Sequence, residues 1–150
     1  MPRPSTPPDL LSLARLVLRL SRALERTVDG TLRPTVGLSV TEYLVLRVIE
    51  DGAAYPSAVS AHLNLPPASV SRTLDRLEEH GFVRRSVDAE DQRRFLLAVT
   101  DAGAESAEHA RGLLREQLRE AYGHVPNAVL HSAIDELRTL LAAMEAREAR

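Results

Sequence analysis

From Asp9 onward, apolar residues recur at intervals of three and four. Leu10, Leu13, Val17, Leu20 and Leu24 make one seam, and Leu11 and Leu18 widen it. That is the spacing of an amphipathic helix. Arg15, Arg19, Arg22 and Arg26 form a separate stripe. More than half the circumference is apolar, beyond what one small core covers, and the excess predicts burial against a second chain. Gly30 and Pro34 are expected to end this segment. In "LSVTEYLVLRVIEDG", Ser39 and Glu42 have the spacing of a capping box, so a second helix is expected to run from there and stop at Gly52. "YPSAVSAHLNL" reads as a short helix with Ser57 as its cap, Val59 and Leu63 pointing inward, and Asn64 suited to a left-handed turn.

Pro67 fits a first helical position, where a missing N–H costs nothing. Val70, Leu74 and Leu77 then define a buried side, and Gly81 closes the helix. "FVRRSV" and "FLLAVT" flank the polar "DAEDQRR", which predicts a β-hairpin with a long loop. Thr100 is the expected cap of a helix reaching about Tyr122. Pro126 opens a last one, with Val129, Leu130, Ile134, Leu137, Leu141 and Met144 apolar. Residues 1–8, "MPRPSTPP", hold four prolines and no apolar period, the pattern of a disordered tail.

Composition narrows the chemistry. At 150 residues the chain suits one compact domain. The absence of cysteine excludes disulfides, thiolate zinc sites and thiol redox sensing. All 19 basic residues are arginine, each a planar fork suited to phosphates, carboxylates and guanine edges, although a GC-rich coding sequence accounts for the bias equally well. The net charge is −2, so the chain as a whole is no polycation. No apolar run approaches the roughly 20 residues of a membrane span. Arg15 and Arg19 break the only stretch resembling a signal peptide, and a cytoplasmic location is expected. His62, His80, His109, His124 and His131 lack ligand spacing, and no catalytic motif or phosphate-binding glycine loop occurs. No metal, no cofactor and no enzymatic activity are expected.

One helix carries a mechanism. With Val70, Leu74 and Leu77 facing inward, a turn of about 100° per residue sets Ala68, Ser69, Arg72 and Arg76 on the far side. Small residues stand near the helix N-terminus with two forked cations behind them, which suits insertion into a DNA major groove. Ser60, Asn64 and Val70 are spaced for two helices packed steeply through a tight turn, as in a helix-turn-helix. The plainer reading is any compact helix pair with a solvated basic face. The hairpin loop, with Asp91, Arg93 and Arg94, has the form of a wing whose arginine enters a minor groove. Asp91 is the residue expected to orient an arginine, either Arg93 or one across the hairpin.

The run from Leu38 to Gly103 resembles the MarR family of winged helix-turn-helix regulators. The likeness rests most on "SRTLDRLEEHGFVRR", on the D-x-R of Asp91 and Arg93, and on "LAVTDAG". The resemblance implies a mainly α fold with a small β-hairpin wing, dimerising through N- and C-terminal helices. After the tail at 1–8, it implies a dimerisation helix at 9–36, a winged helix-turn-helix at 37–100 and dimerisation helices at 101–150. Function would be that of a ligand-responsive repressor binding a palindromic operator in double-stranded DNA as a homodimer. Carried over by position, Ser69, Ser71, Arg72 and Arg76 would touch groove or backbone, and Arg93 would be the wing arginine. A small aromatic or anionic effector is implied as well. The arginine stripe of the first helix reads first as a solvated face, second as an anionic-ligand site with Arg15, Arg19 and Tyr43 as candidate contacts, and last as a membrane-surface helix. Pro66 stands where the family often has a capping Ser or Asp, and Gln92 where a second wing arginine is common. The rival is a winged-helix module that binds protein and not DNA, supported by the net charge and by Asp75, Glu78 and Glu79.

Overall fold

Asp9 opens the first helix by accepting hydrogen bonds from the Leu11 and Ser12 backbone N–H groups at 3.1 Å. In the computed structural model, which describes residues 9–148, this helix (α1) spans Leu10–Val36 with Gly37 as its C-cap residue. The proline-rich residues 1–8 lie outside the described residues. Gly30 and Pro34 do not end α1. Pro34 forfeits one bond in the last turn, while Val28 and Leu32 are buried and Asp29 accepts the Val40 N–H at 2.7 Å. Packing outweighs the local cost. The N-terminal half of α1 is exposed, and Leu10, Leu11, Leu16 and Leu18 all face solvent.

The second helix (α2) is Val40–Glu50, and Ser39 and Glu42 form the complete capping box. The third (α3) is Pro56–Leu63; its cap is Tyr55, which makes no side-chain cap bond, so the expected cap Ser57 falls inside the helix. The structure prefers Pro56 at the first helical position. The fourth (α4) is Pro67–Glu79, entered through Pro66 without a side-chain cap. Gly81 follows at φ 73°, a left-handed conformation that favours glycine.

Strands β1 (Val83–Val87) and β2 (Phe95–Val99) pair antiparallel, Val83 opposite Val99 and Val87 opposite Phe95. The fifth helix (α5) is Asp101–Tyr122, capped by Thr100, whose hydroxyl oxygen accepts the Gly103 N–H at 3.1 Å. The last (α6) is Asn127–Glu148.

The chain divides into two compact units, one through Leu114 and one from Arg115 on. The core of the first is built from Leu32, Leu38, Leu46, Val59, Leu74 and Ala110, among others. In the second, Val129, Ile134, Leu137, Leu141 and Met144 of α6 are exposed.

Candidate nucleic-acid interface

The turn between α3 and α4 is fixed by short bonds. The Ser60 hydroxyl donates to the Leu65 carbonyl at 2.6 Å, and the Leu65 N–H donates to the Ser60 carbonyl at 3.1 Å. Asn64 takes the left-handed conformation at φ 49°, ψ 45°. Two helices are thereby held close, and α4 is seated by Val70, Leu74 and Leu77, each buried. The same helix exposes Ala68, Ser71, Arg72 and Arg76, with Ser69 half-buried. This is the arrangement that the period of three and four implied.

The cations on and beside this face differ in what holds them. Among the described residues, Arg72 makes only a 3.4 Å contact with the Ser69 hydroxyl of its own helix. Arg76 lies 2.8 Å from Oε1 of Glu42, a buried carboxylate on α2. Arg85, on β1, reaches across to α4, 2.7 Å from Asp75 and 3.3 Å from Glu78. Sequence reasoning placed Glu42 in the capping box but missed its pairing with Arg76, and it missed Arg85. The signal for Arg85 was available in the Asp75–Glu78 pair one turn apart on α4, but only the hairpin's return brings a cation to them.

The wing loop, residues 88–94, is braced from within. Asp91 accepts the Arg93 backbone N–H at 3.0 Å, and the Arg94 N–H donates to the Asp91 carbonyl at 2.9 Å. Asp91 thus shapes the turn that carries both arginines through the backbone. The Arg93 side chain is exposed and has no hydrogen bond or ion pair among the described residues. Arg94 lies over the Tyr55 ring, 3.7 Å from its centroid, in cation–π geometry. The Tyr55 hydroxyl donates to Asp88 Oδ2 at 2.7 Å, and the Asp88 N–H donates to the Arg94 carbonyl at 3.0 Å. Asp88 is held below the usual carboxylate range, first by the Tyr55 hydroxyl and then by the Glu90 N–H. Tyr55 is pushed up, chiefly by donating to Asp88 and next by desolvation. This clip ties the wing to the start of α3, and nothing in the local sequence announced it.

The candidate effector residues are less closely grouped. Arg15 contacts Ser12 at 3.1 Å and Asp9 at 4.0 Å on its own helix, Arg19 is exposed, and Tyr43 packs against the core. No hydrogen bond or ion pair among the described residues joins them. A cavity of about 530 Å³ lies instead between α3, α4 and the hairpin, lined by Pro56, Ser60, Pro67, Leu74, Arg85 and Phe95. Among the described residues no three His, Asp or Glu side chains converge as a metal site would require.

Comparison with known proteins bears on this geometry. A sequence model of the MarR family matches residues 36–94. An HTH-type transcriptional regulator of Mycobacterium bovis is 31% identical over 135 residues, covering 87% of this chain and 90% of that protein. A mutant MarR from E. coli, solved in complex with operator DNA, superposes with a TM-score of 0.80 at 23% identity, over 89% of this chain and 96% of that one. CouR from Rhodococcus jostii RHA1, solved bound to p-coumaroyl-CoA, superposes with a TM-score of 0.74 at 27% identity, over 85% and 90%.

Proposed function

The chain belongs to the MarR family of transcriptional regulators, and on that premise we propose that it reads a palindromic operator as a homodimeric, ligand-responsive repressor. The observation that carries the reading is the outer face of α4. Ala68, Ser69 and Ser71 give close approach, Arg72 stands behind them without an acidic partner among the described residues, and apolar side chains seat the helix from below. Arg93 extends the surface at the wing. Arg76 and Arg94 belong to the same surface, with their guanidinium groups already engaged by Glu42 and Tyr55. Nothing in this arrangement is suited to turnover, and the chain is read as a binder of double-stranded DNA and not as an enzyme.

The second unit and the exposed half of α1 supply apolar faces for a partner copy. A dimer also matches a palindromic site, because two equivalent reading helices meet two half-sites. For the effector, a small aromatic or anionic molecule fits the cavity whose lining includes Leu74, Phe95 and Arg85, or the region of Arg15, Arg19 and Tyr43. CouR, with its bound p-coumaroyl-CoA, supports an aromatic class. The protein-binding alternative loses part of its support, since Arg85 offsets one of the two charges of Asp75 and Glu78.

Binding to duplexes from the region upstream of the protein's own coding sequence, measured at several salt concentrations, tests the assignment. Arg72→Ala is expected to weaken operator binding roughly tenfold or more, within the range of one lost bidentate base contact. Arg93→Ala is expected to weaken operator and unrelated duplexes by similar factors and to flatten the salt slope by about one unit per subunit. If both variants bind as the parent does, α4 and the wing are not the reading surface.

A further inference from the structure

Glu42 is the most buried acidic residue among those described, at 3% exposure. Its two carboxylate oxygens have different partners. Oε2 accepts the Ser39 backbone N–H at 2.6 Å and completes the cap of α2. Oε1 meets the guanidinium of Arg76, which rises from the exposed face of α4. One backbone N–H does not balance a buried carboxylate as a full opposite charge does. Arg76 is therefore the counter-charge of Glu42, even though its own side chain is 53% exposed. Arg72, one turn earlier on the same helix, has no such partner among the described residues. Two arginines that look equivalent in sequence are in different electrostatic states.

We propose that Glu42 is a positioning residue for DNA recognition: it retains the charge of Arg76 inside the protein, so that Arg76 fixes the presentation of α4 and neutralises no phosphate. This role rests on the DNA-reading function above. Counterions leave DNA when a protein cation neutralises a phosphate, and each such neutralisation steepens the salt dependence of binding. A guanidinium already balanced by a carboxylate contributes little to that slope. Moving Arg76 to a phosphate would strand Glu42 with a single N–H, and this competition keeps the pair together.

The full chain, bound to operator and to unrelated duplex over a range of salt, tests the proposal through Glu42→Gln, Arg76→Ala and the double variant. Glu42→Gln preserves an acceptor for the Ser39 N–H and removes the charge that holds Arg76. It is expected to steepen the salt slope by up to about one unit per subunit, as the released guanidinium reaches phosphate, and to narrow the operator-to-unrelated ratio about tenfold. Arg76→Ala is expected to lower operator affinity about tenfold while keeping the parent's slope, and the double variant to behave as Arg76→Ala alone. A slope flattened by Arg76→Ala as much as by Arg93→Ala would overturn the proposal, and so would an unchanged slope in Glu42→Gln. Should Glu42→Gln fail to fold, the Arg76→Ala slope decides by itself. Urea unfolding adds an arm that needs no DNA: the stability losses of the single variants are expected to be non-additive, and additive losses would overturn the pairing. A parent that binds no duplex at any salt would sink the DNA-reading function instead, and this role with it.

Discussion

At the scale of single residues, the wing depends on a small polar assembly of Tyr55, Asp88 and Arg94. Asp88 accepts from the Tyr55 hydroxyl and from the Glu90 N–H, and its carboxyl is depressed for those reasons. A carboxyl depressed by folding contributes stability that is present above its unfolded pKa and lost as pH falls through the folded value. Acidification below the ordinary Asp range, about pH 4, is therefore expected to release the clip. Tyr55 behaves oppositely. Its phenol is raised above 10.0, so its contribution holds below that value and is lost as pH climbs through the raised one. Absorbance titration of the 3 tyrosines is expected to contain a late component that Tyr55→Phe abolishes. If Tyr55→Phe instead removes a component that titrates in the ordinary tyrosine range, the bond to Asp88 does not form in solution. Arg94 shows that residue type alone does not reveal what a cation rests against. It lies next to Arg93 in a loop of wing-like composition, yet its guanidinium rests on an aromatic ring.

At the scale of elements, the junction of hairpin and α5 is closely packed. The Thr100 hydroxyl donates to the Gly81 carbonyl at 2.6 Å, and the Thr100 N–H donates to the Phe82 carbonyl at 3.0 Å. Gly103 passes beneath that carbonyl. A Cβ there would collide with the Phe82 backbone and lie 2.9 Å from Val99 Cγ1. Backbone has nowhere to retreat, so Gly103→Ala is expected to cost about 2 kcal/mol or more in urea unfolding. Gly112, farther along α5, meets nothing within 4 Å of an added Cβ, and Gly112→Ala is expected to stabilise by up to about 1 kcal/mol. Equal effects at the two glycines would mean that the α5 junction is looser than described. The entrance of α4 is the counterpart of this tight corner. Pro66 offers no side-chain cap, and the first turn holds instead through its carbonyl, which accepts the Ser69 and Val70 N–H groups at 2.9 and 3.1 Å.

At the scale of the whole molecule, the single chain leaves large apolar side chains in water on α1 and, separately, on α6. Covering them with a second copy removes that exposure and doubles the number of reading heads. Leu16→Arg combined with Leu20→Arg is expected to yield a monomer by light scattering and to lower operator affinity by at least tenfold, since one half-site then binds without the other. A double variant that remained dimeric would locate the interface elsewhere. The sequence by itself determined the order of elements, the buried side of α4 and the position of the hairpin. Those features follow from local periodicity, caps and turn residues, which act over a few positions and are written in consecutive letters. Even so, α1 ran past Gly30 and Pro34, because buried Val28 and Leu32 outweighed one missing backbone bond. What only tertiary structure decided was the state of the charges paired between elements, those of Arg76, Arg85 and Arg94. Whether an arginine meets a buried glutamate or a tyrosine ring depends on a chain segment 34 residues away in the case of Arg76 and Glu42, and on the return of a loop in that of Arg94 and Tyr55. Charge pairing is set by proximity in space, and residues distant in sequence leave no periodic trace of it.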